Sequence, residues 1–212
     1  MFRRPNDGLF DFLDQAAAFV LANLFWVLLS IPLVSAPAAT AGLFATTSRW
    51  VRGKQVEVFQ NFWGAAWRFW RKATLIGVID LLITGLLLLN LVIFQRMDAG
   101  QIGTVLSQSA TLFVGLTALT VNLYLWPLMV IFDDLPLRRL VDTSLKLVFA
   151  FPAWSLVMLI LALIPFVLSL LLFTGTLVLA TFSAASILIN WGAWRIIRRY
   201  MPEALAKVET QG

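Results

Sequence analysis

ATLIGVIDLLITGLLLLNLVIF, residues 73–94, decides the fold class, because Asp80 is the one charged side chain in the run. About 20 predominantly apolar residues in helical form reach across a hydrocarbon core about 30 Å thick. Inside that core each backbone N–H and C=O needs a partner within the segment, so such a run spans as a helix. The pattern recurs at Ala16–Val34, Leu112–Phe132, Trp154–Phe173 and Thr176–Trp194. Pro32 and Pro37 end or kink the first block, and Thr174-Gly175 joins the last two as a tight hairpin.

Composition agrees: 60% of the 212 residues are hydrophobic and 13% charged, against roughly 25% charged in soluble domains. The expectation is an all-α polytopic membrane helix bundle of about five transmembrane helices. It forms one domain over residues 1–200, with a short polar cytoplasmic tail at 201–212. The alternative is four crossings plus a re-entrant hairpin, Ala16–Thr47, broken at Pro32–Pro37; such a break needs protein or water around its unpaired backbone groups. A cleavage site at Ala39-Thr40-Ala41 is the weaker reading of those small residues, which equally let helices approach.

Orientation follows from Lys and Arg, which short loops keep preferentially in the cytoplasm. Arg49, Arg52, Lys54, Arg68, Arg71 and Lys72 follow the first block; Arg138, Arg139 and Lys146 follow the third; Arg195, Arg198, Arg199 and Lys207 follow the last. Only Arg3, Arg4 and Arg96 fall elsewhere. Five crossings would put the C-terminus in the cytoplasm of a bacterial-type inner membrane and the N-terminus outside, whereas the four-crossing version has both termini inside.

The chain has no cysteine and no histidine, which excludes disulfides, thiol nucleophiles, imidazole bases and Cys or His metal sites. No catalytic residue, cofactor or metal site is expected. The formal charge of +5 lies beside hydrophobic blocks, which reads as topology and not as a nucleic-acid surface.

Between Glu57 and Lys72, Phe59, Phe62, Trp63, Ala66, Trp67 and Trp70 recur at helical spacing. This predicts an amphipathic helix lying in the cytoplasmic interface, its aromatics in the acyl boundary and its cations near anionic lipids of the bilayer. The same aromatic face, Phe59, Phe62, Trp63, Trp67 and Trp70, would serve to dock a partner. Trp50, Trp126, Trp154, Trp191 and Trp194 fall near the cytoplasmic ends of crossings, where indoles anchor; Trp26 is expected between helices. Asp80, with Asn90 and Asn122, forms the candidate intramembrane polar site, since an ionisable group at depth is either functional or held by hydrogen bonds. Thr176, Ala180, Ser183, Ala184 and Ile187 form a small-residue packing stripe. Residues 132–152, FDDLPLRRLVDTSLKLVFAFP, read as a short amphipathic helix leading to Pro152.

The string Asn23, Trp26, Pro32 and Ser35, continuing as PLVSAPAATAGLF, resembles the YesL-like family of small bacterial membrane proteins. The aromatic-basic stretch, the F-D-D-L-P loop and the Pro before the fourth crossing follow in that family's order. Ser35 stands where the family commonly has Thr, and Pro37 comes one position before its usual Gly-Pro. The resemblance implies an undefined biochemical function, met beside genes for carbohydrate importers and polysaccharide breakdown, and brings no catalytic residues. The expectation is therefore a non-enzymatic accessory or scaffold protein associated with a carbohydrate (ABC-type) uptake system, with importer subunits as partners and self-association into a homo-oligomer compatible with it. The alternative is a small-molecule carrier or channel subunit using Asp80 and the Pro-broken first helix.

Overall fold

The computed structural model describes residues 7–96, 100–172 and 180–211. The described residues form eight α-helices: α1 (Asp7–Ser30), α2 (Ala36–Val51), α3 (Val58–Arg96), α4 (Gly100–Ile131), α5 (Leu137–Ala150), α6 (Pro152–Leu172), α7 (Phe182–Tyr200) and α8 (Pro202–Gln211). Among the described residues there is no strand. Among the described residues, four helical stretches are long and apolar enough to cross a membrane: Leu13–Ser30, Val58–Ile93, Ile102–Ile131 and Pro152–Leu171. The protein is thus a multi-pass membrane bundle. The fifth expected crossing is represented by α7, which is not one of those four. Arg3, Arg4 and the expected Thr174-Gly175 turn lie outside the described residues.

α1 stops at Ser30 because Ile31 precedes Pro32, whose ring disfavours the helical conformation of the residue before it. Pro32 is extended (φ −76°, ψ 108°), a single 3-10 turn follows at Leu33–Ser35, and Pro37 sits in the first turn of α2, where a missing N–H costs nothing. The Ser35 hydroxyl donates to the carbonyls of Leu29 (2.5 Å) and Pro32 (2.8 Å); the Pro32 carbonyl also accepts the Ser35 N–H at 2.8 Å, and the Leu29 bond helps satisfy the end of α1. α1 and α2 then fold back on each other. Trp26 Nε1 donates to Thr40 Oγ1 at 3.1 Å, and Asp14, Gln15 and Ala18 line one recess with Trp50, Gly53 and Gln55.

α2 is the central element. Ala39, Ala41, Gly42, Leu43, Phe44, Thr46, Thr47 and Ser48 are all buried, and the small residues let α3 and α7 approach closely. A Cβ at Gly42 would lie 2.8 Å from the backbone oxygen of Phe62, and one at Gly77 would lie 2.5 Å from Pro37 Cγ. On α7 the buried residues are Ser183, Ala185, Ser186, Asn190, Gly192, Ala193, Ile196 and Ile197, so the packing face turns from the expected stripe. It keeps Ser183, leaves Ala184 and Ile187 half-buried, and Thr176 lies outside the described residues. Asn190 Nδ2 donates to Thr47 Oγ1 at 2.8 Å, tying α7 to α2.

The expected interfacial helix at 57–72 is helical, yet it is not a separate element. It continues without interruption into the crossing as the 39-residue α3. Nothing between Arg71 and Ile76 breaks a helix: there is no Pro, and Ala73 is the strongest helix former. The amphipathic helix expected within 132–152 is α5, which ends at Ala150 and is capped by Phe151 just before Pro152 opens α6. The polar stretch after residue 200 is the helix α8, with Leu205 buried on the core.

Candidate functional site

The basic connections meet at one end of the bundle. Arg68 forms an ion pair with Asp133, and Lys72 Nζ donates to the backbone carbonyls of Asp133 and Leu135. α3 thereby clamps the F-D-D-L-P turn that leads into α5. Arg52 lies over the Trp194 ring at 5.8 Å, and Arg195 lies over Trp154 (5.4 Å) and Trp191 (5.9 Å), so the ends of α2 and α7 and the start of α6 share this face. α5 rests on it through Leu140, Ser144, Leu147 and Val148, while Arg138, Arg139, Asp142, Lys146 and Phe149 point outward. Lys146 donates to Asp142 at 2.7 Å; that bond, and then the charge of the carboxylate, hold its ammonium above the usual lysine range.

Among these groups lies a cleft of about 830 Å³, bounded by α2, the loop after it, the first turns of α3 and the α4–α5 turn. Its charged lining is Arg49, Arg52, Lys54 and Arg68 against Asp133 and Asp134. The loop is built for the position it holds. Gly53 adopts φ +68°, Gly53 N donates to Trp50 O (2.9 Å) and Lys54 N donates to Arg49 O (3.0 Å). This is a Schellman end, which needs a left-handed residue and so favours glycine. The cleft was not legible in the sequence, where Arg49, Arg52, Lys54 and Arg68 read only as topology signals; the Gly53-Lys54 ending was the available clue.

The aromatic face of residues 59–70 divides in two. Phe59, Trp63, Trp67 and Trp70 are exposed, Trp67 at 82%, but Phe62 is fully buried. Phe62 thus does not belong to an interfacial or partner face. It begins a different stripe, Phe62, Ala66, Phe69, Ala73 and Ile76, all buried, whose alternating steps of four and three keep one side of α3 against its neighbours. Trp126 is also buried within the bundle instead of anchoring at an interface.

The intramembrane polar residues form two clusters, not one. Asn122 Nδ2 donates to Asp80 Oδ1 at 2.9 Å, and Trp126 Nε1 donates to Asn122 Oδ1 at 3.0 Å. Asp80 and Asn122 line a largely apolar groove of about 290 Å³ between α3, α4 and α5. Asn90 lies elsewhere: its amide donates to Ser107 Oγ (3.1 Å) and Thr111 Oγ1 (2.5 Å), about 15 Å further along α3 at the helical rise.

The motif residues Asn23, Trp26, Pro32 and Ser35 surround the break between α1 and α2. Asn23 Oδ1 accepts from the backbone N–H of Ser183 at 2.9 Å, and Trp26 stacks on Phe182 with ring centroids 3.7 Å apart. Their geometry holds α1 against α2 and α7, which is a structural task.

Residues 19–91 match the model of a family described as a protein of unknown function, DUF624. That uncharacterised family is consistent with the YesL-like resemblance read from the first helices. The matched segment runs from within α1 to Leu91 of α3, and so includes the break, the central α2 and Asp80. No curated protein and no solved structure matches the chain.

Proposed function

We propose that the protein is a non-enzymatic accessory or scaffold subunit of the cytoplasmic membrane, acting with an ABC-type carbohydrate uptake system. The observation that carries this is α5: its inner face is locked onto the bundle through Leu140, Ser144, Leu147 and Val148, and its outer face offers Arg138, Arg139 and Asp142. A charged helix held rigidly at a membrane surface suits protein docking, because interleaved charge selects a partner through complementarity. The YesL-like resemblance supplies the kind of partner. Support for a non-enzymatic role comes from the absence of Cys and His and from Asp80 being tied to Asn122, since general acid–base chemistry needs positioned titratable groups.

Copurification from native membranes tests the docking. The parent should bring importer subunits with it, and the double charge reversal Arg138→Glu/Arg139→Glu should lose them without lowering the melting temperature. Recovery of the parent free of importer subunits, under conditions that preserve known importers, would overturn the proposal.

We also infer that the basic end faces the cytoplasm and that both ends of the helical chain lie there, in place of an outside N-terminus. Support comes from the cations that gather at this end and from the recess that Asp14 and Gln15 share with Gly53 and Gln55. The chain has no cysteine, so single replacements are directly readable. Impermeant thiol reagent applied to intact cells should miss Asn6→Cys and reach Gln101→Cys, and labelling of Asn6→Cys alone would sink this topology.

A carrier is the second reading, favoured by the Asp80–Asn122 pair in its groove. Asn90 is not part of that path. Flux in vesicles that Asp80→Asn leaves unchanged removes Asp80 from the mechanism, and loss of flux with an unchanged melting temperature supports the carrier.

A further inference from the structure

We propose that the cleft between α2, α3 and the α4–α5 turn binds a phosphate-bearing anion. Four cations line it against two carboxylates, and one of those carboxylates, Asp133, is already engaged by Arg68. Arg52 is also held over the Trp194 ring, so Arg49 and Lys54 are the cations set against the remaining Asp134, an excess of positive charge at the end of α2 and its loop. Part of each arginine serves the fold: Arg49 Nε donates to Gln55 O at 3.3 Å and Arg52 Nε donates to Ser48 O at 3.1 Å, and cations at a helix C-terminus are favoured by its dipole. A guanidinium has five donors in a fork that matches phosphate oxygens, so anchoring Arg49 through Nε orients its NH₂ pair without consuming it.

The volume points beyond a lone ion. About 830 Å³ falls within the roughly 300–1,000 Å³ of small-molecule sites, and Ala45, Ala65 and Phe69 give part of the wall an apolar surface for the organic part of a phosphate ester. Gln60 and Asn61 add amides. Gly64 keeps the space open: a Cβ there would meet nothing within 4 Å, so packing does not require the glycine and a larger side chain would fill the cleft instead of the core. The same chemistry fits the headgroup of an anionic phospholipid or a soluble phosphate compound, and it is independent of what docks on α5.

The test is titration of the detergent-purified full chain, at low salt, with dihexanoyl phosphatidylglycerol in one arm and inorganic pyrophosphate in the other. Saturable binding is expected in at least one arm: the lipid arm alone identifies a headgroup site, the pyrophosphate arm alone a soluble phosphate. Arg49→Gln/Lys54→Gln should weaken it by roughly tenfold or more, since hydrogen bonds to charged groups are the stronger ones. Gly64→Leu should do the same while the melting temperature holds; if the charge variant fails to fold, Gly64→Leu alone decides. No saturable binding of either probe, or binding that Gly64→Leu leaves unchanged, overturns the proposal.

Discussion

α3 and α4 are each two different helices joined end to end. Toward the basic end α3 buries Phe62, Ala66, Phe69, Ala73 and Ile76, and α4 is buried on every side from Leu123 to Met129. Away from it, no described residue of α3 beyond Ile76 is buried, and Leu81, Leu86, Ile102, Leu106 and Leu112 stand 65–79% exposed. In water the exposed half would be untenable as a large apolar surface; in lipid it needs no cover, because acyl chains are as apolar as leucine. What the far halves do require is satisfaction of their polar atoms, and Asn90 with Ser107 and Thr111 supplies it. Close packing is thus confined to the half built around α2, and the effects of substitution should divide along the same line.

The sharpest break of that comparison is at glycine. Gly42→Ala would push a methyl group to 2.8 Å from the Phe62 carbonyl oxygen and 3.2 Å from its ring, and a backbone atom cannot swing aside as a side chain can. Overpacking of this kind costs about 1–3 kcal/mol or more, and thermal melting in detergent should fall accordingly. Gly64→Ala, on an open side of α3, should hold or raise the melting temperature, since Ala improves on Gly in a helix by about 1 kcal/mol. Equal melting of the two variants would mean that α2 and α3 do not meet as closely as the geometry has them.

Asparagine gives the next contrast. Asn23 and Ser183 are both fully buried, and Asn23→Ala leaves the Ser183 N–H without this acceptor, a loss of about 1–3 kcal/mol. Asn90→Ala in the lipid-facing half should lose only about 0.6 kcal/mol, the average for hydrogen bonds between membrane helices. Melting temperatures of the two variants should fall in that order. A larger loss at Asn90 would show that the far half is covered, by a second copy or by a partner.

The helical character of nearly every element, the break at Pro32–Pro37 and the helix before Pro152 were legible, because hydrophobic length and proline placement are local signals. α2 was harder to see as the centre. APAATAGLFATTSRWV is short and rich in Ala and Thr, so its burial comes from close approach and not from apolarity. The spacing groups Phe62 with an outward face that it does not share, because aromatics occupy positions 59, 62, 63, 67, 69 and 70, covering more than one side of a helix, and only the neighbours decide which side turns inward. Asp80 and Asn122 meet across a long sequence separation, as do the cleft's cations and the carboxylates of Asp133 and Asp134, which no periodicity encodes.

The smallest effect belongs to Arg68 and Asp133, whose side chains are 64% and 29% exposed. Exposed pairs of this kind couple by about 0–1 kcal/mol and weaken with salt. A double-mutant cycle of Arg68→Gln and Asp133→Asn, read by melting in detergent at low and high salt, should give a coupling in that range that fades as salt rises. Lys72 complicates only the backbone side of the turn, since it binds carbonyl oxygens that neither substitution removes. A larger coupling that salt leaves untouched would place this turn in a dry setting, and the boundary between the packed half and the lipid-facing half would then have to move toward the basic end.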